Sequence, residues 1–94
     1  MESVSSAEAT LEIKNRLGLH LRAASTLAQA VKRFNATVTI SHDGQEVNAG
    51  SVTSLMMLGA GKGTKLKVKA DGPDAQKALA ALRALFDDRF GEDS

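Results

Sequence analysis

Cysteine, tryptophan and tyrosine are absent from this sequence, and proline occurs once, as Pro73. Without cysteine there is no disulfide, no thiolate metal site, no iron–sulfur cluster and no sulfur nucleophile, a composition compatible with a reducing cytosol. Only three phenylalanines occur in 94 residues, so the core must be aliphatic, and the length allows one such core rather than two. Charge of one sign is scarce as well. A formal net charge of +1 gives no electrostatic case for nucleic acid or an anionic membrane as partner. No apolar run approaches a transmembrane length, and Met1–Glu8 has neither the basic region nor the apolar stretch of a signal peptide. The chain is therefore expected to be soluble and cytoplasmic, with no membrane insertion.

What is present is a sequence of period changes. Residues 1–9 are small and polar and read as a flexible extension ahead of a single domain over 10–90, with 91–94 a polar end. Leu11 to Asn15 alternates as a half-buried strand does, and Leu21, Ala24, Leu27, Ala28, Val31 and Phe34 recur at helical spacing. Asn35 suits the end of that helix, and a second strand starts near Ala36. Asp43-Gly44 is a strong hairpin signal, returning Glu46 to Ala49 antiparallel to it. Ser51 then precedes a two-turn apolar run stopped by Gly59. Thr64 to Ala70 is the cleanest strand, with Leu66 and Val68 on one face and three lysines on the other. Pro73 suits the first turn of a last helix whose apolar face is Ala75, Ala78, Leu79, Leu82, Leu85 and Phe86. The order is βαββαβα. Because the alternate strand positions are polar, one sheet face is wet and all helices lie on the other: an α+β fold with an antiparallel sheet.

Several patterns fail on inspection. Gly59-Ala-Gly-Lys-Gly-Thr is not a phosphate loop, since Met57 stands where its first glycine belongs and Gly63 where a hydroxyl should follow the lysine. His20 and His42 are far apart and lack a carboxylate cluster, so neither a metal nor a cofactor is expected. Lys65, Lys67 and Lys69 have no interleaved aromatics and read as a solvated face. Met56 and Met57 share a short helix with the inward-facing Leu55 and Leu58, which puts at least one methionine outside, beside Val52, as an adaptable docking patch.

The change of period between Lys14 and Leu21 is the informative one. Gly18 supplies a sharp turn, and His20 falls at or next to the N-cap of the first helix, where unpaired N–H groups and the positive dipole end form an anion site with Arg22 in reach. That field disfavours imidazolium, so a neutral, nucleophilic ring is expected near neutral pH. On local pattern alone a plain N-cap beside a surface arginine fits equally well.

Three motifs, Gly18-Leu19-His20-x-Arg22, Val47-Asn48-Ala49-x-Ser51 and Leu58-Gly59-Ala60-x-x-Gly63, together resemble the family of the histidine-containing phosphocarrier protein HPr, over about Thr10 to Asp88. The resemblance implies an open-faced β-sandwich. It implies phosphorylation of His20 at Nδ1 by enzyme I, which uses phosphoenolpyruvate, with Arg22 stabilising the phosphate. Onward transfer to A-type domains of the phosphotransferase system follows, and the expected state is a monomer. Ser51 matches a regulatory serine that HPr kinase/phosphorylase modifies in many bacteria, and Leu21, Val52, Thr53 and Met56 match the partner-docking surface. Ala23 stands where the family usually has proline, and Gly50 where lysine is common. The alternative is an allosteric binding module or corepressor acting through the Ser51–Leu58 helix without phosphotransfer. His20 argues against it, because the branch of the family that acts in that way lacks the histidine.

Overall fold

A computed structural model describes residues 5–94. Met1 to Val4, part of the expected extension, lie outside the described residues. The strands β1 (Ser6–Glu12), β2 (Thr37–His42), β3 (Gln45–Asn48) and β4 (Lys65–Asp71) alternate with the helices α1 (Leu21–Val31), α2 (Val52–Met57) and α3 (Ala75–Asp87), followed by a 3₁₀ turn at Arg89–Gly91. The order βαββαβα is the one the periodicity predicts. All strand pairs are antiparallel, in the spatial order β1-β4-β2-β3.

The alternation decides which face is buried. Leu11, Val38, Ile40, Leu66, Val68 and Ala70 are buried on the inner face against Ala24, Leu27 and Ala28 of α1 and Ala78, Leu82 and Phe86 of α3. On the other face Glu8 stands opposite Lys69 and Glu12 opposite Lys65, and Lys67 Nζ lies 3.5 Å from Glu8 Oε2. Opposite charges directly across a strand pair contribute a few tenths of a kcal/mol, so this face holds register more than it holds the fold. Among the described residues, no helix is long and apolar enough to cross a membrane.

Local signals account for the connections. Asp43 (φ 53°) and Gly44 (φ 83°) both occupy the left-handed region, as a two-residue hairpin turn requires. Ser51 Oγ accepts the Ser54 N–H at 3.2 Å and caps α2.

Four boundaries differ from expectation. β1 begins at Ser6 and ends at Glu12, so residues 6–9 belong to the sheet and not to an extension. Alanines carry little apolar signal, yet Ala7 is buried opposite Ala70. α1 ends at Val31, and the N–H groups of Arg33 and Phe34 bond three residues back, to Ala30 and Val31, in a tightened last turn. Pro73 precedes α3, whose N-cap is Asp74. The 91–94 end is not merely a free polar tail, because the Glu92 side chain is only 13% exposed; just before it Phe90 is buried and packs on Phe86 with ring centroids 4.9 Å apart.

The segment between β1 and α1 is held by backbone. Leu19 N–H donates to Ala60 O at 2.9 Å, Gly18 N–H to Asn15 O at 3.2 Å, and Gly63 N–H to Ile13 O at 2.7 Å. Gly18 has φ +71°, and a Cβ there would stand 2.6 Å from Ala60 O and 2.8 Å from Gly61 Cα. Both contacts are to backbone, so neither can be relieved by turning a side chain. Gly18→Ala is expected to lose at least about 1–2 kcal/mol, the cost of a left-handed non-glycine residue before any clash. Urea denaturation of variant and wild type measures it.

Candidate functional site

His20 is the N-cap of α1. Its backbone is extended (φ −76°, ψ −179°), its carbonyl accepts the Ala24 N–H at 2.8 Å, and its Nδ1 accepts the Arg22 N–H at 3.2 Å. The side chain therefore does what Ser, Asp or Asn does at this position, with a ring nitrogen as acceptor. The unpaired N–H groups of the first turn and the α1 dipole face the same space. Arg22 is exposed, and its guanidinium forms no ion pair among the described residues. Ala23 is fully buried in the same turn, where a proline would forfeit no intrahelical hydrogen bond.

The other ring nitrogen meets a residue that the sequence pattern does not reveal. His20 Nε2 lies 2.5 Å from Glu92 Oε2, and Asn15 Nδ2 donates to Glu92 Oε1 at 3.0 Å and to Gly18 O at 2.7 Å. Asn15 is the one buried polar residue among those described. Its Oδ1 is buried without a hydrogen-bond partner. Desolvation pushes the Glu92 carboxyl up, but the hydrogen bonds from Asn15 and His20 and the nearby charge of Arg22 outweigh it and hold the group below its ordinary value. Glu92 is therefore ionised at neutral pH.

Glu92 reaches His20 because the chain reverses after α3. Arg89 and Phe90 both have φ 55°, uncommon for residues with side chains, and burial of Phe90 offsets the cost. Lys14 Nζ on Asp87 at 2.7 Å is a second, exposed tie between these segments. The clue in the sequence is Phe90 itself, an aromatic four residues after Phe86 in an otherwise polar tail.

The result is an open depression around His20 lined by Arg16, Leu17, Leu21, Arg22, Glu92 and Asp93. Leu17 and Leu21 are 62% and 60% exposed, and Met56 and Met57 of α2, the helix packed on α1, are 43% and 67% exposed. Both methionines face out, an exposed apolar patch on the helix that packs against α1. Thr53 is exposed and Val52 half-buried on α2, while Ser51, its half-buried cap, does not line the depression. No group of three His, Cys, Asp or Glu side chains able to hold a metal occurs among the described residues. Chemically, the site offers a ring nitrogen with a lone pair, the N-terminus of α1 and two guanidinium groups, those of Arg16 and Arg22, that form no ion pair among the described residues.

Comparison with known proteins gives a consistent result. Residues 7–88 match the family model described as the PTS HPr component phosphorylation site. The phosphocarrier protein HPr of Xylella fastidiosa strain Temecula1 is 44% identical over 87 residues, covering 93% of this chain and 98% of that protein. The phosphocarrier protein NPr of Escherichia coli K12 is 45% identical over 85 residues, covering 89% and 94%. The crystal structure of HPr from Thermoanaerobacter tengcongensis superposes with a TM-score of 0.89 at 38% identity, covering 94% of this chain and 99% of that one. With a helix-capping histidine at the position this fold offers for an anion, and with similarity along nearly its whole length, the chain belongs to the HPr family of phosphotransferase-system phosphocarriers.

Proposed function

We propose that this protein accepts a phosphoryl group on Nδ1 of His20 from phosphorylated enzyme I and passes it to A-type domains of the phosphotransferase system. It acts as a cytoplasmic monomer, a substrate and donor for other proteins and not a catalyst of its own. The observation that carries the reading is the contact of Nδ1 with the Arg22 N–H at the start of α1. When the Nδ1 lone pair forms a P–N bond, the bond between phosphorus and the donor breaks and its electron pair leaves with the donor. The Arg22 N–H released from Nδ1 is then free for a phosphoryl oxygen, and the Arg22 guanidinium stands beside it. Charge that develops on the transferring group meets donors already in place. Exposed Leu17 ahead of α1, Leu21 on α1 and the two methionines of α2 supply the surface on which donor and acceptor proteins dock.

Intact mass after incubation with phosphoenolpyruvate and enzyme I tests this directly. The wild type is expected to gain one acid-labile phosphoryl group and His20→Ala none; an unmodified wild type with a competent enzyme I from the same source refutes the assignment. Arg22→Ala is expected to slow transfer by more than tenfold, which corresponds to more than about 1.4 kcal/mol in barrier. A rate equal to wild type removes the guanidinium from the mechanism.

Ser51 is the regulatory site in this reading, open to a kinase of the HPr kinase/phosphorylase type. Its Oγ accepts one hydrogen bond and its own proton remains available, and it opens the helix that carries Val52, Thr53 and Met56. A phosphate there places negative charge beside an apolar docking surface. Ser51→Asp is expected to keep the circular dichroism spectrum and to weaken binding to acidic partner domains, as read by titration calorimetry.

A further inference from the structure

A neutral imidazole carries one N–H and one lone pair, and which nitrogen holds which is set by the partners around the ring. In His20 the two sides are unambiguous. The Arg22 backbone N–H can only donate, so Nδ1 must present its lone pair there. The Glu92 carboxylate can only accept, so Nε2 must carry the proton, 2.5 Å from Oε2. Glu92 in turn is held by the Asn15 amide, whose orientation is fixed by two acceptors, Gly18 O and Glu92 Oε1. This support is well built: Asn15 is fully buried, and the Glu92 side chain is 13% exposed.

We propose that Glu92 is a positioning residue for phosphotransfer, fixing His20 in the Nε2–H tautomer so that Nδ1 is the nucleophile and staying as counter-charge to the phosphorylated ring. The proposal rests on the phosphocarrier reading above and deepens it. The proton and electron count favours such a partner. Attack by Nδ1 on phosphorus forms the P–N bond while Nε2 keeps its proton, so the ring becomes a cation, and Glu92 is the carboxylate in contact with it. In onward transfer the P–N electron pair returns to Nδ1 and the ring leaves as neutral imidazole. No proton has to move in either direction. Were the Nε2 proton lost from the phosphorylated ring, the leaving group would be imidazolate, a far poorer one. The same division of labour, a carboxylate orienting an imidazole through the nitrogen that does not react, underlies hydrolytic triads.

The ring ¹⁵N chemical shifts of His20, measured where the ring is neutral, report the tautomer directly. They are to be read in the full-length chain together with the rate of phosphotransfer from enzyme I. The wild type is expected to show the Nε2–H pattern. Glu92→Ala is expected to show a mixed population and to transfer about tenfold more slowly or worse. Glu92→Gln offers one acceptor oxygen to two donors, Asn15 Nδ2–H and His20 Nε2–H, so it should weaken the tautomer preference less than Glu92→Ala does and fall between wild type and Glu92→Ala in rate, an effect that loss of packing alone does not give. Backbone amide spectra verify that the variants stay folded. Wild-type tautomer populations in Glu92→Ala, or a wild-type transfer rate in that variant, overturn the proposal. Failure of the wild type itself to accept phosphate from enzyme I is a separate outcome: it removes the carrier reading, and the role of Glu92 with it.

Discussion

The site depends on one close approach of backbone to backbone. At Gly18 the chain passes Ala60 and Gly61 so tightly that even a methyl group has no room, and Leu19 donates its N–H to Ala60 O in the same contact. That approach ends the strand direction of β1 and delivers His20 to the first turn of α1. The turn also gives Asn15 its buried seat, since the Asn15 amide bonds Gly18 O. Position of His20 and position of the residue that supports its partner Glu92 thus come from a single glycine-permitted contact.

Around this anchor the charges are divided by the imidazole ring. On the Nδ1 side lie the unpaired amides of α1 and the Arg22 guanidinium, which attract an anion; on the Nε2 side lies an ionised carboxylate, which repels one. The ring separates the two, so in the proposed transfer the phosphoryl group approaches Nδ1, the nitrogen that presents its lone pair, from the side where the field is favourable. Leu17 and Leu21 border the same depression and leave one side apolar for a partner protein.

Much of this was legible in the sequence, for physical reasons that differ from residue to residue. His20 and Ser51 stand at changes of period, and the Asp43-Gly44 hairpin and the alternation of β4 are strong short-range signals, so the element order and both caps follow from local chemistry. The proposed role of His20 as phosphoryl acceptor rests on the Gly-Leu-His-x-Arg pattern, because its local geometry also suits a simple cap. The start of β1 was not legible: Ala7 and Ala9 are too small to register as an apolar face, and only pairing with β4 reveals them. Asn15 and Glu92 were missed for another reason. They meet 77 positions apart, through a left-handed reversal at Arg89 and Phe90 that neither residue type favours and that only the packing of Phe90 on Phe86 explains.

The strand order carries a kinetic consequence. β2 and β3 are joined by two residues and can pair as soon as they are made, whereas β1 pairs only with β4, Ser6 opposite Asp71 and Glu12 opposite Lys65, across most of the chain. That pairing bears the largest loop-closure entropy in the sheet, and long-range strand pairing of this kind is what slows folding. The Asn15–Leu19 segment hangs from β1 and docks on the loop that leads into β4, so His20 has no fixed geometry until that closure is complete. The hairpin and α2 carry no such dependence. A population caught with β2, β3 and β4 paired and β1 detached would have much of its hydrogen-bonded sheet and an empty place where the histidine belongs.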